Sequence, residues 1–121
     1  LQGHRDDVLD AWERAISASA VHYINDVLQD MNATDYDFAN HAKHWSELKG
    51  FALILQFNPH SPMTTGQVTE LHGLLGDAPV LPSDTDATAY KTDLLNARAL
   101  LQSAYGFDVQ NMGDENGEGG W

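Results

Sequence analysis

The first long stretch with helical spacing, residues 6–31, reads DDVLDAWERAISASAVHYINDVLQDM. Its apolar side chains recur every three or four positions, which at about 100° per residue places them on one stripe of a helix. An amphipathic helix of this kind is stabilised by packing its stripe against other elements. We therefore predict a first helix over about residues 6–31 that buries the following residues: Leu9, Trp12, Ile16, Ala20, Tyr23 and Val27.

A second stretch with helical spacing runs from about Asp35 to Phe57. Thr34 and Asp37 have the spacing of a capping box, with Asp in place of the usual Glu. Pro59 ends the helix, because proline disfavours the α conformation of the residue before it. The predicted stripe consists of Phe38, Trp45, Leu48, Ala52 and Leu55.

Two shorter stretches complete the helical pattern. Thr64 and Gln67 form a second capping box before a short helix, and Gly76 follows it where a left-handed C-cap is expected. A last helix is predicted from about Thr85 to Tyr105, with Gly106 closing it in the same way. Their stripes are Val68, Leu71 and Leu75 for the short helix, and Tyr90, Leu94, Ala97, Leu101 and Ala104 for the last one.

The composition changes after Phe107, where the chain becomes rich in Gly, Asn and acidic residues and contains no basic residue. Such a segment buries too little apolar surface to offset its loss of conformational entropy, unless Trp121 docks onto the rest of the chain. We therefore predict an all-α fold, a helical bundle of about four helices over residues 1–107, followed by a disordered acidic C-terminal tail over residues 108–121. The simplest topology is up-and-down.

The composition excludes several function classes. The chain has 121 residues, which suits one domain, and 18 acidic residues against 6 basic ones give a formal net charge of -12. Nucleic-acid partners are therefore not expected, because neutralising phosphates requires Lys and Arg. The longest apolar run, Phe51 to Leu55, is too short to cross a membrane, and the absence of cysteine excludes disulfides and thiolate chemistry. Because the chain opens with Leu1 and has no signal peptide, we expect a processed or truncated product.

The second helix carries the most informative polar residues. His41, His44 and Glu47 follow one another at three-residue steps, which makes neighbours adjacent along one side of the helix. Neutral imidazole and carboxylate groups bind Zn, Fe, Mn or Cu, and bundles hold such metals with side chains from facing helices. We predict a metal site with His44 and Glu47 as first ligands and His41 next.

Other helices would have to complete such a site. Glu13 lies within the stripe of the first helix and His72 shares a face with the apolar residues of the short helix, so both are candidate ligands. The alternative is that these histidines form a buried hydrogen-bonded network and bind no metal. No nucleophile motif, phosphate loop or His-Glu-x-x-His pattern is present, so neither a catalytic nor a cofactor-binding residue is predicted.

Two stretches of the chain resemble a known family. The run from His41 to Pro59, HAKHWSELKGFALILQFNP, and the later run from Leu71 to Leu81, LHGLLGDAPVL, resemble the bacterial domain of unknown function 4856 family. Together they cover about a quarter of the chain. Members of that family are larger and extracytoplasmic, often lipoproteins, so the resemblance implies that this chain is a C-terminal portion. Its partner would then be the missing N-terminal portion or another envelope protein.

A looser similarity is to the imelysin-like proteins, helical bundles of the bacterial envelope with a Gly-x-His-x-x-Glu signature. Residues 42–47 match its His and Glu with His44 and Glu47, and have Ala42 in place of the glycine. This resemblance implies a periplasmic or outer-membrane protein that binds iron or another metal.

The function predicted from the sequence is therefore a non-enzymatic module of the bacterial envelope that binds a divalent or ferric ion. A structural or protein-interaction bundle without metal is the first alternative, and a metal-dependent hydrolase of imelysin type is the second. The metal, the oligomeric state and the natural partner are left open by the sequence.

Overall fold

The computed structural model describes residues 1–121 and contains four α-helices and no strand. The helices are α1 (Gln2–Asn32), α2 (Phe38–Ile54), α3 (Thr65–Leu75) and α4 (Ala87–Tyr105), followed by a short 3-10 helix, Val109–Asn111. No helix is both long enough and apolar enough to span a membrane. The prediction of an all-α bundle of four helices is confirmed.

The helices form a ring in which α1 packs against α2 and α4, and α3 packs against the same two helices. Asp30 near the end of α1 contacts His44 in the first half of α2, whereas Glu13 in the first half of α1 contacts Asn58 just after α2. Tyr105 at the end of α4 also reaches Glu13. Helices α2 and α4 therefore both run antiparallel to α1, which is the predicted up-and-down arrangement.

The second half of α1 lies at the centre of the core. Ala20, Val21, Ile24, Val27 and Leu28 are all fully buried, because α2 and α4 cover α1 from two sides. A helix covered from two sides buries a wider face than the stripe predicted from its spacing.

Two aromatic residues predicted in the core are on the surface instead. Trp12 is 59% exposed and Phe38 is 54% exposed. Phe38 is the first residue of α2, and Trp12 lies in the first half of α1. Helical spacing identifies a face without showing how far the neighbouring helices extend along it.

The helix ends agree with the predictions in part. The Thr64–Gln67 capping box is present with both of its hydrogen bonds, and Gly106 closes α4 in the left-handed conformation.

The predicted Thr34–Asp37 box is wrong: Asp37 is itself the N-cap of α2, and its side chain accepts hydrogen bonds from Ala39 N and Asn40 N. An aspartate at the N-cap satisfies these free N–H groups directly, so α2 begins at Phe38. The structure differs from two other predicted helix ends. Helix α2 ends at Ile54 rather than Phe57. Gly76 follows α3 as predicted, but its φ of 73° and ψ of −173° lie outside the left-handed helical region.

The C-terminal segment is packed against the bundle, so the prediction of a disordered tail is corrected. Asn25 Nδ2 donates to the main-chain oxygens of Met112 and Trp121 at 3.0 and 2.9 Å. Arg98 Nη1 donates to Asn25 Oδ1 at 2.7 Å and to the carbonyl of Asp114 at 2.9 Å. Two residues buried on α1 and α4 thus supply the hydrogen bonds that the tail cannot make within itself.

Docking of Trp121 and close packing of glycine complete this arrangement. The Trp121 ring meets Phe107 edge-to-face with centroids 4.9 Å apart. Gly117 has φ 85°, and a Cβ added to it would lie 2.4 Å from the carbonyl oxygen of Asn25. The glycines that made the segment look flexible therefore allow its backbone to approach α1.

Candidate functional site

His44, the first predicted ligand, bridges two acidic residues of α1. Its Nδ1 lies 2.6 Å from Asp30 Oδ2, and its Nε2 lies 3.8 Å from Asp26 Oδ2. His22 Nε2 lies 3.2 Å from the same oxygen of Asp26. The imidazole and carboxylate groups therefore alternate in the order His22, Asp26, His44 and Asp30. We call these four residues the His44 clasp.

The His44 clasp joins α2 to the last turns of α1. Asp26 and Asp30 are one turn apart on α1, so a single imidazole can face both carboxylates. The side chains of His44, Asp26 and Asp30 are 24%, 21% and 18% exposed, which leaves them partly solvated. Partly solvated pairs of this kind each contribute on the order of 1 kcal/mol or less to stability.

His41 lies near Asp30 but makes its hydrogen bond to a different residue, and it is completely buried. Its Nδ1 lies 2.8 Å from the hydroxyl of Tyr36, in the connection between α1 and α2, and its Nε2 has no hydrogen-bond partner. Burial lowers the pKa of His41, partly offset by the nearby Asp30. The ring is therefore held neutral and connects α2 to the loop that precedes it.

Glu47 lies beside Tyr23 of α1. Its Oε2 is buried and has no hydrogen-bond partner. Burial and the charge of Glu47 together raise the pKa of Tyr23, whose ring stacks on Phe51 with centroids 5.6 Å apart. Tyr23 is also near His44, at 6.2 Å between ring centroids, so the two first-choice ligands are on the same side of the α1–α2 interface.

Glu13 is at the other end of the bundle and has a complete set of protein partners. It is 3% exposed and accepts hydrogen bonds from the hydroxyl of Tyr105 at 2.6 Å, from Asn58 Nδ2 at 2.5 Å and from the hydroxyl of Ser61. Burial raises the pKa of Tyr105, and its hydrogen bond to Glu13 raises it further. This buried carboxylate joins α1 to α4 and to the α2–α3 connection.

His72 lies on α3 against Lys49 and Ala52 of α2. Its Nε2 is buried without a hydrogen-bond partner, and burial together with the charge of Lys49 lowers its pKa. The Lys49 ammonium group donates to the main-chain oxygen of Gly76, which places a positive charge at the end of α3.

The five predicted ligands thus occupy four different surroundings. Only His44 and Glu47 share one side of the α1–α2 interface, while His41, Glu13 and His72 each contact other groups. The structure contains no group of three or more His, Asp or Glu side chains arranged to hold a metal ion. Asp26 and Asp30, the partners of His44, were not predicted from the sequence, although their four-residue spacing on α1 is a signal of two carboxylates on one face.

An apolar groove lies beside Glu13, between the first half of α1 and the end of α2. Leu9, Trp12 and Ile16 form one wall, and Ile54 and Phe57 form the other, around a cavity of about 170 Å³. Trp12 and Phe57 remain 59% and 74% exposed. We call this feature the Trp12 groove.

A larger cavity of about 520 Å³ lies between the end of α2 and the start of α3. Its lining includes Gln56, Thr64 and Thr69 but no His, Asp, Glu, Lys or Arg. General acid-base chemistry requires a titratable group within reach of the substrate, so nothing in this cavity supports a catalytic role. The lining residues are Leu55, Gln56, Asn58, Pro59, Ser61, Met63, Thr64, Thr65, Val68 and Thr69.

Comparisons of the chain with protein-family models, curated proteins and solved structures gave no match.

Proposed function

We propose that this chain is a non-catalytic protein-interaction bundle that binds a helical segment of another protein in the Trp12 groove. The observation that carries this proposal is the pair of large aromatic residues, Trp12 and Phe57, that flank an apolar cavity and remain mostly exposed. Contiguous exposed apolar surface of this kind marks interaction sites in proteins, whereas isolated exposed residues do not.

The dimensions of the groove suit one anchoring side chain. An engineered cavity of about 150 Å³ holds a benzene molecule. The Trp12 groove, at about 170 Å³, therefore has room for one large apolar side chain of a partner. Binding surfaces commonly obtain most of their affinity from a few such buried anchors.

The hydrogen bonds of His41 and Glu13 support a structural role for these two predicted ligands over metal binding. His41 is bonded to Tyr36, and Glu13 accepts hydrogen bonds from three donors. These groups connect helices to one another and to loops, as expected if they stabilise the bundle.

A second copy of the chain is a poor occupant of the groove. Each chain has a formal net charge of -12, and a two-fold dimer places the same surface of both copies face to face. Like charges would then oppose one another, whereas a partner of different composition avoids this cost.

The proposal is tested by selecting helical peptides from a displayed library on the wild-type chain and on the Trp12→Ser, Phe57→Ser double variant. We expect peptides with a shared large apolar position that bind the wild type and lose binding to the variant. Phe38→Ser is the matched control, since Phe38 is also an exposed aromatic but lies at the opposite end of α2. Selected peptides that bind all three proteins equally would overturn the proposal.

Metal binding at His44 is a second candidate function. The observation that favours it is the 2.6 Å contact between His44 Nδ1 and Asp30, because metal-binding histidines usually have their other nitrogen bonded to a carboxylate. Nε2 then faces Asp26, a ligand type that suits Zn, Fe or Mn. The envelope location and the resemblance to the domain of unknown function 4856 family stay predictions.

Elemental analysis of purified chain separates the two candidates. Near-stoichiometric metal in the wild type that is lost in the His44→Ala, Glu47→Ala double variant would establish metal binding. Asp37→Asn is a control, since Asp37 caps α2 away from these side chains. Metal-free wild-type protein, with a melting temperature unchanged by added zinc or iron, would eliminate this candidate and leave the interaction bundle.

A further inference from the structure

The surface next to the Trp12 groove is acidic. A small cavity of about 40 Å³ adjoins the groove, shares Leu9 and Asn58 with it, and is lined by Asp6, Asp10 and His60. Asp10 has no salt-bridge partner within 4.0 Å, and the partner of Asp6 is Arg5, at 2.9 Å. Both members of that pair are more than half exposed, so a partner cation can replace Arg5 at little cost.

The charge of this rim identifies the kind of partner. We propose that the segment bound in the Trp12 groove is a cationic amphipathic helix, with one large apolar anchor in the groove and Lys or Arg side chains facing Asp6 and Asp10. This inference rests on the proposed function, because it names the partner of the same groove. Complementary charge around an apolar centre selects a partner and accelerates its association.

The all-α architecture favours a helical partner over an extended one. The chain has no strand, so there is no sheet edge to which an extended peptide could add its main-chain hydrogen bonds. A helix satisfies its own main-chain groups and offers anchors at three- and four-residue steps. The exposed start of α1 leaves one side of the groove open to it, since every residue from Leu1 to Trp12 is exposed apart from Leu9, which is half-buried.

The test uses two fluorescent peptides of about 18 residues, long enough for stable amphipathic helices. One has a Leu face and a Lys face, and the other has the same sequence with Glu in place of Lys. Binding to the full chain is measured by fluorescence anisotropy at about 50 mM and about 150 mM salt, since screening separates charge from apolar contact.

Three variants of the chain identify the contacts. The groove variant is Trp12→Ser, Phe57→Ser, and the rim variant is Asp6→Asn, Asp10→Asn. The charge control is Asp35→Asn, Glu115→Gln, which removes two exposed carboxylates elsewhere and changes the net charge by the same amount as the rim variant.

We expect the Lys peptide to bind the wild type, and the groove variant to weaken binding by about tenfold, as for the loss of a buried anchor. The rim variant should weaken binding by about threefold at low salt and less at high salt. The charge control should bind like the wild type.

Each of the other outcomes overturns either the cationic partner or the docking function of the Trp12 groove. Equal binding of the Lys and Glu peptides, with a loss in the groove variant, overturns the cationic partner and leaves the proposed docking function intact. Lys-peptide binding that is reduced equally by the rim variant and the charge control shows non-specific charge attraction and overturns the inference. Unchanged binding in the groove variant overturns both. Sedimentation experiments test the last alternative. If the wild type dimerises and the groove variant does not, the groove binds a second copy of the chain, and the proposed helical partner is overturned.

Discussion

The apolar stripe predicted for α1 begins at Leu9 and Trp12, but the first eleven residues of the helix and the remainder have opposite surroundings. Residues 2–12 are exposed apart from the half-buried Leu9, whereas the rest of the helix contains ten buried residues. The reason is length: at about 1.5 Å per residue, 31 residues of α1 extend well past the 17 residues of α2. Helical periodicity therefore identifies a face, and burial depends on whether a neighbour reaches it.

The largest expected effect comes from Ile24, which is fully buried in the second half of α1. We expect Ile24→Ala to lower the free energy of unfolding by about 2–5 kcal/mol, because it removes apolar contacts and leaves a cavity. Chemical denaturation with circular dichroism measures the change. Leu9→Ala in the first half is the matched comparison, with an expected loss of about 0.5 kcal/mol or less. Equal losses for the two variants would contradict the contrast between the start of α1 and the remainder of the helix.

The next effect concerns Asn25, through which the buried half of α1 holds the C-terminal segment. Asn25→Ala removes three hydrogen bonds and leaves Arg98 and two main-chain oxygens without this partner, at a cost of about 1–3 kcal/mol. Hydrogen exchange should become faster at residues 108–121 before the bundle itself unfolds. Asn96→Ala, at an exposed position on α4, is the control. Protection of the segment that is unchanged in Asn25→Ala would show that the segment is held by other contacts.

Acidification should destabilise the bundle through His41, which packs beside Asp30 in the buried half of α1. Burial lowers the pKa of His41 in the folded state, so below about pH 6.5 the unfolded chain binds more protons than the folded one. The stability that the neutral His41 contributes is therefore present above its unfolded pKa, and it is lost progressively as the pH falls below that pKa and through the lower pKa of the folded state. Denaturation from about pH 7.5 to 5 should show a shallower decline for His41→Gln than for the wild type. His22→Gln, at an exposed position, is the control, and identical slopes for His41→Gln and the wild type would refute the prediction.

The smallest effect on stability is expected in the Trp12 groove. Trp12→Ser should change the free energy of unfolding by about 0.5 kcal/mol or less, because the ring is already 59% exposed. A loss of stability several times larger would mean that Trp12 is part of the core and is not a surface residue available to a partner. Thermal unfolding of Trp12→Ser is compared with that of Phe38→Ser, because Phe38 is an aromatic residue of similar exposure.

Much of the fold was predictable from local signals. The four helices follow from apolar spacing, and the Thr64–Gln67 box and Gly106 act at the positions that their residue types indicate. The Thr34–Asp37 box was wrong because two residues competed to cap the same helix, and spacing alone could not rank them.

The candidate site was much less predictable. Spacing on α2 placed His41, His44 and Glu47 near one another, but their contacts depend on what α1 and the preceding loop present to them. Asp30 is 14 residues from His44 and Asn58 is 45 residues from Glu13, so the pairs are visible only after the helices pack. Hydrogen bonds of this range have no local sequence signal.

The C-terminal segment shows the same limit. Its composition indicates flexibility, since glycine is costly to order, and yet Asn25 and Arg98 supply partners that make one ordered arrangement. The sequence by itself determined the helices, the acidic charge and the all-α class, because these depend on neighbouring residues and on composition. Only the tertiary structure decided which polar groups meet, that the tail docks and that residues 2–12 of α1 stay largely exposed. Those outcomes depend on distances between residues far apart in the chain, which periodicity does not encode.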